Sequence, residues 1–298
     1  MATILTTPEQ VATALADAPS MPVPNAMLMV TPEYFSVDYI INPHMEGNIG
    51  TVDKNEARWE WEVVRDKFRN FGLNVHEIPG QPELPDMVFS ANQSLPYIDS
   101  KGNKHVIMSI MHSSHRKDEV PFLEQWYRRN KYNIHYLNPE NVSDFEGMGD
   151  AIWHFKKKLL WGGFGYRSSP NAYEQISDKF DVPVVMLELK HPEFYHLDTC
   201  FCVLNADSVL ICPPAFTDEG LELIHAGFKN VIKAPEVEAR SLFACNAACP
   251  DGRNVVIQKG CKQVNHMLKN HGFAFHEVNT SEFLKSGGSV FCMKLMLW

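Results

Sequence analysis

Cys292 stands near the end of a 298-residue chain, in the stretch Ser286-Gly287-Gly288-Ser289-Val290-Phe291-Cys292. Paired glycines let a backbone take positive φ or approach a ligand closely. A thiol just beyond such a turn can sit at a strand mouth, open to a substrate. An isolated cysteine is more often a small buried apolar residue. Two other stretches change that balance: Phe145-Glu146-Gly147-Met148-Gly149-Asp150 and Tyr195-His196-Leu197-Asp198-Thr199-Cys200. A cysteine, a histidine and carboxylates, each beside turn residues or at a strand, are the parts of a thiol-nucleophile site.

The roles follow from the chemistry of each group. Cys292 attacks a carbon as the thiolate, which requires a lowered pKa or a nearby base. A bound cation would itself stabilise that thiolate. His196 can protonate a leaving amine and then activate water; taken alone, a hydrogen-bonded core histidine is the plainer reading. Glu146 precedes Gly147-Met148-Gly149, and Asp86 follows Pro85 and opens Met87-Val88-Phe89-Ser90-Ala91-Asn92. Asp198 lies two residues after His196 and shares its face if the segment is a strand. Most carboxylates are solvated surface charges. Grouped in apolar and glycine-rich stretches, these suggest a negative pocket for a planar cation such as guanidinium, which suits bidentate carboxylates. The implied reaction is thiolate attack on an amidine carbon, loss of an amine, and hydrolysis of the S-amidino adduct.

The elements that must hold these groups read as short strands alternating with helices. Thr7, Pro8 and Glu9 start a helix over residues 6–16, and Pro19, Pro22 and Pro24 stiffen the segment after it. Residues 26–30 read as a strand, 31–50 as a loop, 53–71 as a helix with Trp59, Trp61, Val63 and Phe68 on its apolar side, and 75–78 as a strand. Apolar runs at 87–89, 105–108, 133–137, 151–155, 158–161, 182–187, 200–204, 208–212, 230–232, 242–245, 254–257 and 274–278 read as further strands, with Cys292 in a last one. Helices fall at 117–129, 170–180, 217–227 and 261–271. The unit is strand, strand, helix, strand, and it recurs about five times without residue-level repetition. A closed ring of such ββαβ units is one α/β domain with loops converging on its axis. A doubly wound sheet is the alternative, but no GxGxxG or P-loop opens a helix here.

Composition bounds the partners. The chain is 45% hydrophobic and 21% charged with a formal net charge of −9, ordinary for a globular enzyme. That charge argues against a general nucleic-acid surface and is compatible with a cationic small substrate. Seven cysteines with no CxxC match no zinc module and read as reduced thiols in the cytoplasm. The first residues lack a basic segment followed by a long apolar run, and no stretch has the length of a membrane span.

In order and joint presence, the motifs resemble the guanidino-group-modifying superfamily, also called the pentein or amidinotransferase superfamily. The matching stretches are Tyr39-Ile40-Ile41-Asn42-Pro43-His44-Met45, Pro85-Asp86-Met87-Val88-Phe89-Ser90-Ala91-Asn92, Glu146–Asp150, His196-Leu197-Asp198-Thr199-Cys200 and Gly287-Gly288-Ser289-Val290-Phe291-Cys292. The resemblance implies a single-domain five-bladed α/β propeller over residues 26–298, with 1–25 as an N-terminal extension. It implies Cys292 as nucleophile and His196 as general acid/base. Glu146 and Asp86 would bind guanidinium, and Asp198 would support them. No metal or organic cofactor is expected.

Within the superfamily the chain looks nearest to the arginine dihydrolases, which convert arginine to ornithine, ammonia and carbon dioxide. Asn42 and Asn92 match that group's substrate-binding or catalytic asparagines, and Arg167 an arginine near the substrate carboxylate. A second such arginine is expected where this chain has Ile110. The expected partner is thus a small cationic guanidino substrate, with a homodimer left open. The other readings are a dimethylargininase- or deiminase-like hydrolase giving citrulline, an amidinotransferase, and a catalytically idle guanidino-binding or interaction protein.

Overall fold

Thr7 closes a reciprocal capping pair with Gln10 at the start of helix α1 (Pro8–Asp17), and Pro8 fills the first turn, where its missing N–H costs nothing. In this computed structural model, which describes residues 2–298, a short strand β1 (Ile4–Leu5) precedes that helix.

Five separate sheets follow. The first unit holds β2 (Ala26–Val30), α2 (Lys54–Asn70) and β3 (Asn74–Ile78). The second holds β4 (Ser94–Ile98), β5 (Lys104–Met108), α3 (Val120–Arg129) and β6 (Asn133–His135). The third is α4 (Gly147–Asp150), β7 (Ala151–Trp153), β8 (Leu160–Phe164), α5 (Pro170–Phe180) and β9 (Val184–Glu188), whose outer edge accepts β1 in parallel. The fourth is β10 (Phe201–Asn205), β11 (Ser208–Ile211), α6 (Asp218–Gly227) and β12 (Asn230–Lys233). The fifth is α7 (Glu236–Leu242), β13 (Asn254–Gln258), α8 (Lys262–Asn270) and β14 (Ala274–Val278), followed by α9 (Ser281–Leu284) and β15 (Leu295–Leu297).

In the second, third and fourth units an antiparallel pair is followed by a helix and a strand parallel to the second member. In the fifth, an isolated antiparallel bridge, Ala248–Val256, stands where the first strand would be. In the first, that strand comes from the other end of the chain: β15 pairs antiparallel with β2. The C-terminal segment carrying Cys292 is thereby tied to the N-terminal sheet.

Helix α2 shows how the units are seated. Asp53 caps it by accepting from Asn55 and Glu56 N–H groups. Ala57, Trp61, Val64 and Phe68, at helical spacing, are buried. Truncating a buried Phe68 would cost about 3–5 kcal/mol. Trp59, expected on that apolar side, is 54% exposed, because it falls between the rows that face the sheet.

Several expected elements differ, and the differences matter for the site. Residues 85–88 form a 3-10 turn, not a strand, since Pro85 presets its φ. The strand begins at Ser94 and contains Pro96, which is tolerated because β4 is the edge of its sheet. Asp198 lies in a 3-10 turn, Leu197–Thr199, rather than on a strand. Residues 242–245 end a helix, with Phe243 left-handed at φ 50°. Cys292 sits in the turn before β15, not within a strand. No helix among the described residues is long and apolar enough to cross a membrane.

Candidate active site

Gly287 and Gly288 set the backbone that presents Cys292. Gly287 has φ +86°, and a Cβ there would lie 2.8 Å from Asn42 Oδ1 and 2.9 Å from the Tyr195 hydroxyl. A Cβ on Gly288 would meet the Phe89 ring at 2.3 Å. The tyrosine hydroxyl donates to the Gly287 carbonyl at 2.5 Å. The Ala91 N–H donates to the Cys292 carbonyl, which binds this turn to the one that carries Asp86 and Asn92.

The Cys292 thiol is buried and donates to Asp198 Oδ2 at 3.3 Å. It accepts from Asn246 Nδ2 at 3.2 Å. Burial, then the negative charge and hydrogen bond of Asp198, push this thiol well above its ordinary pKa. Burial also raises the Asp198 carboxyl to about 7, although the Cys292 hydrogen bond and the Lys294 charge pull it back down. Asp198 Oδ1 is buried with no hydrogen-bond partner. The pair therefore shares a proton that a positive charge nearby would expel.

His196 is buried beside this pair in sequence but paired elsewhere. Its Nε2 lies 2.6 Å from Glu146 Oε2, and its Nδ1 lies 3.4 Å from Asn92 Nδ2. An amide nitrogen only donates, so Nδ1 accepts and Nε2–H donates to the carboxylate. The other Glu146 oxygen accepts from the His112 N–H at 3.0 Å, and Arg167 Nη1 approaches Oε2 at 3.5 Å. Burial pushes the Glu146 carboxyl up, but the His196 hydrogen bond and the Arg167 and Arg116 charges prevail and hold it at about 2. Both Glu146 oxygens thus have protein partners, as do both oxygens of Asp86. Asp150 secures the same turn: Oδ1 accepts from the Leu197 N–H at 2.9 Å and Oδ2 from the Ser168 hydroxyl at 2.7 Å.

A narrow cleft, about 260 Å³ with its open solvent included, is lined by Asn42, Asp86, Asn92, Arg116, Arg167 and Cys292, among others. The Asp86 carboxylate accepts from the Tyr39 hydroxyl and the Ser286 hydroxyl, each at 2.8 Å. Arg167 donates to the Ile41 carbonyl at 2.5 Å and stacks on the Tyr195 ring at 4.9 Å. Asn42 lines the cleft, yet its amide caps the turn before Pro43, accepting from His44 N–H and donating to Ser286 C=O, each at 3.0 Å.

Ile110 is elsewhere: its backbone bridges Phe145 and its side chain packs on the core. The second arginine of the cleft is Arg116. It is 3% exposed and donates to Asn92 Oδ1 and to the Asp86 carbonyl at 3.0 Å, and to Glu119 Oε2 at 2.9 Å. It serves chiefly to tie the turns of Asp86 and Asn92 together.

The sequence pointed to neither Arg116 nor Asn246. Asn246 Oδ1 accepts from the Ser289 and Cys292 N–H groups, at 3.0 and 3.3 Å, and its Nδ2 also donates to the Asp198 carbonyl at 3.0 Å. The available signal was a polar amide within Phe243-Ala244-Cys245-Asn246-Ala247-Ala248, a run otherwise apolar and buried.

Comparison with known proteins identifies the family. The family model described as N,N dimethylarginine dimethylhydrolase, eukaryotic, matches residues 33–297. An uncharacterized protein of Caenorhabditis elegans is 37% identical over 91% of this chain and 93% of its own length. The bifunctional arginine dihydrolase/ornithine cyclodeaminase ArgZ of Synechocystis is 33% identical over 90% of this chain, which spans only 37% of that relative. The crystal structure of the N-terminal domain of the cyanobacterial ArgZ, an arginine dihydrolase with substrate bound, superposes with a TM-score of 0.84 at 31% identity, covering 91% of this chain and 97% of that one. The mixed α/β architecture is thus shared with that domain, and the chain belongs to the N,N-dimethylarginine dimethylhydrolase family of guanidino-group hydrolases.

Proposed function

We propose that the chain is a cysteine-nucleophile hydrolase acting on the guanidino carbon of arginine or a related small guanidino compound. The observation that carries this reading is the Cys292–Asp198 pair: a buried thiol hydrogen-bonded to a buried carboxylate whose second oxygen has no partner, at the wall of a cleft holding Asp86. A guanidinium supplies both missing elements. Its N–H groups satisfy Asp198 Oδ1 and Asp86, and its charge favours loss of the thiol proton.

Cys292 Sγ then bonds to the guanidino carbon. The carbon–nitrogen bond breaks, and the amine leaves with the proton that the Cys292 thiol gave up, relayed through His196 Nδ1 while Nε2–H stays on Glu146. His196 next takes a proton from water. The oxygen bonds to the same carbon and the carbon–sulfur bond breaks, releasing a ureido product. In an arginine dihydrolase the ureido group reacts again, so arginine and two waters give ornithine, carbon dioxide and two ammonia. The ArgZ similarity supports that outcome. The family description supports a second reading, a dimethylargininase-like reaction that stops at citrulline. Asn42 and Asn92 are the proposed holders of the neutral ureido group, because an amide both donates and accepts; Asn42 would first have to leave its cap. In this reading the five units form a five-bladed propeller in a catalytic domain of residues 26–298, with 1–25 as an extension, in the cytoplasm.

The test is incubation with arginine, asymmetric dimethylarginine, agmatine and guanidinoacetate, with ammonia, citrulline and ornithine quantified. Ornithine with two ammonia per arginine supports the first reading. Citrulline as the only product refutes it in favour of the second, and no conversion of any of the four removes both. Cys292→Ser abolishes turnover while preserving the thermal transition. His196→Ala lowers turnover by about 10²–10⁴ and leaves an adduct on Cys292 visible by intact mass.

A further inference from the structure

The structure has a second pocket, enclosing about 690 Å³ of space with its open solvent included. Its walls include Met148, Cys202, Ala248, Phe291, Lys294 and Trp298. Met148 is two residues past Glu146, Ala248 two past Asn246, Cys202 four past Asp198, and Phe291 and Lys294 flank Cys292 closely. The chain segments that carry the site continue from it into the walls of this cavity.

The lining is mostly hydrocarbon and aromatic; of its two lysines, Lys156 is exposed and Lys294 is buried. Lys294 is 2% exposed, and its Nζ stands 3.2 Å from the centre of the Phe291 ring. Among the described residues no carboxylate lies within ion-pair distance of this amine; Cys202, Asp198 and Cys292 act on it only through space. Burial pushes it down to about 7. A buried amine in an apolar chamber is the arrangement that orients an apolar ligand by a single anionic group. Trp298, also in the lining, is fixed by its indole N–H donating to the Pro22 carbonyl at 2.6 Å.

We propose that this cavity binds a small apolar monocarboxylate, with its carboxylate on the Lys294 ammonium and its hydrocarbon part among Met148, Ile152 and Trp298. Charge complementarity selects an anion, and the lining selects a hydrocarbon tail. Occupancy reaches the site as well. The ligand's negative charge offsets the Lys294 charge that favours an ionised Asp198 and a Cys292 thiolate, so the thiol becomes less reactive. The binding does not depend on which guanidino compound, if any, the chain hydrolyses.

Octanoate is the probe, with octanol and octylamine as neutral and cationic comparators, at pH 6.5. Binding is followed by calorimetry and by tryptophan fluorescence, since Trp153 and Trp298 both line the cavity. Octanoate should bind one to one and about tenfold or more tighter than octanol. Lys294→Met should erase that preference, and Val203→Trp, which fills the cavity and leaves Lys294 in place, should remove binding of both. Octanoate should also slow alkylation of Cys292 by iodoacetamide in the parent and not in Val203→Trp. Equal affinity for octanoate and octanol, no binding of either, or unchanged octanoate binding in Val203→Trp would overturn the site. Binding without slower alkylation would overturn its link to Cys292.

Discussion

Replacing Asn246 by alanine should damage both the stability of the chain and the reactivity of Cys292. The asparagine side chain accepts from the Ser289 and Cys292 N–H groups and donates to the Asp198 carbonyl and the Cys292 sulfur. It is fully buried. Truncation strands three backbone groups, and a stranded buried polar group costs about 1–3 kcal/mol. The lower bound applies where water can enter the vacated space, so the loss is about 3 kcal/mol. In a chain of this size 1 kcal/mol moves the melting temperature by about 2 °C, so Tm should fall by about 6 °C. The sulfur loses a donor that stabilises its anion, which should lower turnover and the rate of Cys292 alkylation by about 10². Asn246→Asp separates the two effects. A carboxylate still accepts from both N–H groups, so most of the stability remains, but it donates nothing to sulfur and adds a like charge beside Asp198. Calorimetric unfolding and peptide-resolved alkylation give the two readouts. An Asn246→Ala variant within 1 °C and twofold of the parent would refute the assignment of Asn246 as the support of the Cys292 turn.

The Glu146 carboxyl, held at about 2 against an ordinary 4.5, contributes stability that is fully present above pH 4.5 and is lost as the pH falls toward 2. Denaturant midpoints should therefore show the parent losing about 2 kcal/mol relative to Glu146→Gln between pH 5 and pH 3; a constant difference would mean that the pairing with His196 is not what holds this carboxylate ionised. Gly288→Ala places a methyl 2.3 Å from the Phe89 ring, which is itself packed edge-on against Phe35. It should cost about 1–3 kcal/mol and reduce turnover, while an unchanged thermal transition would show that the turn has room to move.

The alternation of short strands with helices is local information, and it was legible in the chain. Apolar runs, Thr7, Pro8 and the helical spacing of Trp61, Val64 and Phe68 sufficed to place most elements. The residue types of the proposed site, Cys292, His196, Asp198, Glu146 and Asp86, were legible too, each beside turn residues or glycines. What tertiary structure decided was who meets whom. Asp198 follows His196 by two residues, yet the 3-10 turn sends one side chain to Cys292 and the other to Glu146. Asn246, 46 residues from Cys292, became the centre of its turn only when the two segments packed together, the Phe291 N–H donating to the Asn246 carbonyl. Arg116 has no signature as a charged residue in a basic-looking turn. Its burial against Glu119, Asn92 and the Asp86 carbonyl arises from the packing of that turn on its neighbour. Local pattern depends on backbone preference and periodicity, which neighbouring residues set. Pairing between polar groups far apart in the chain depends on which groups are desolvated together, and that is determined only when the units pack.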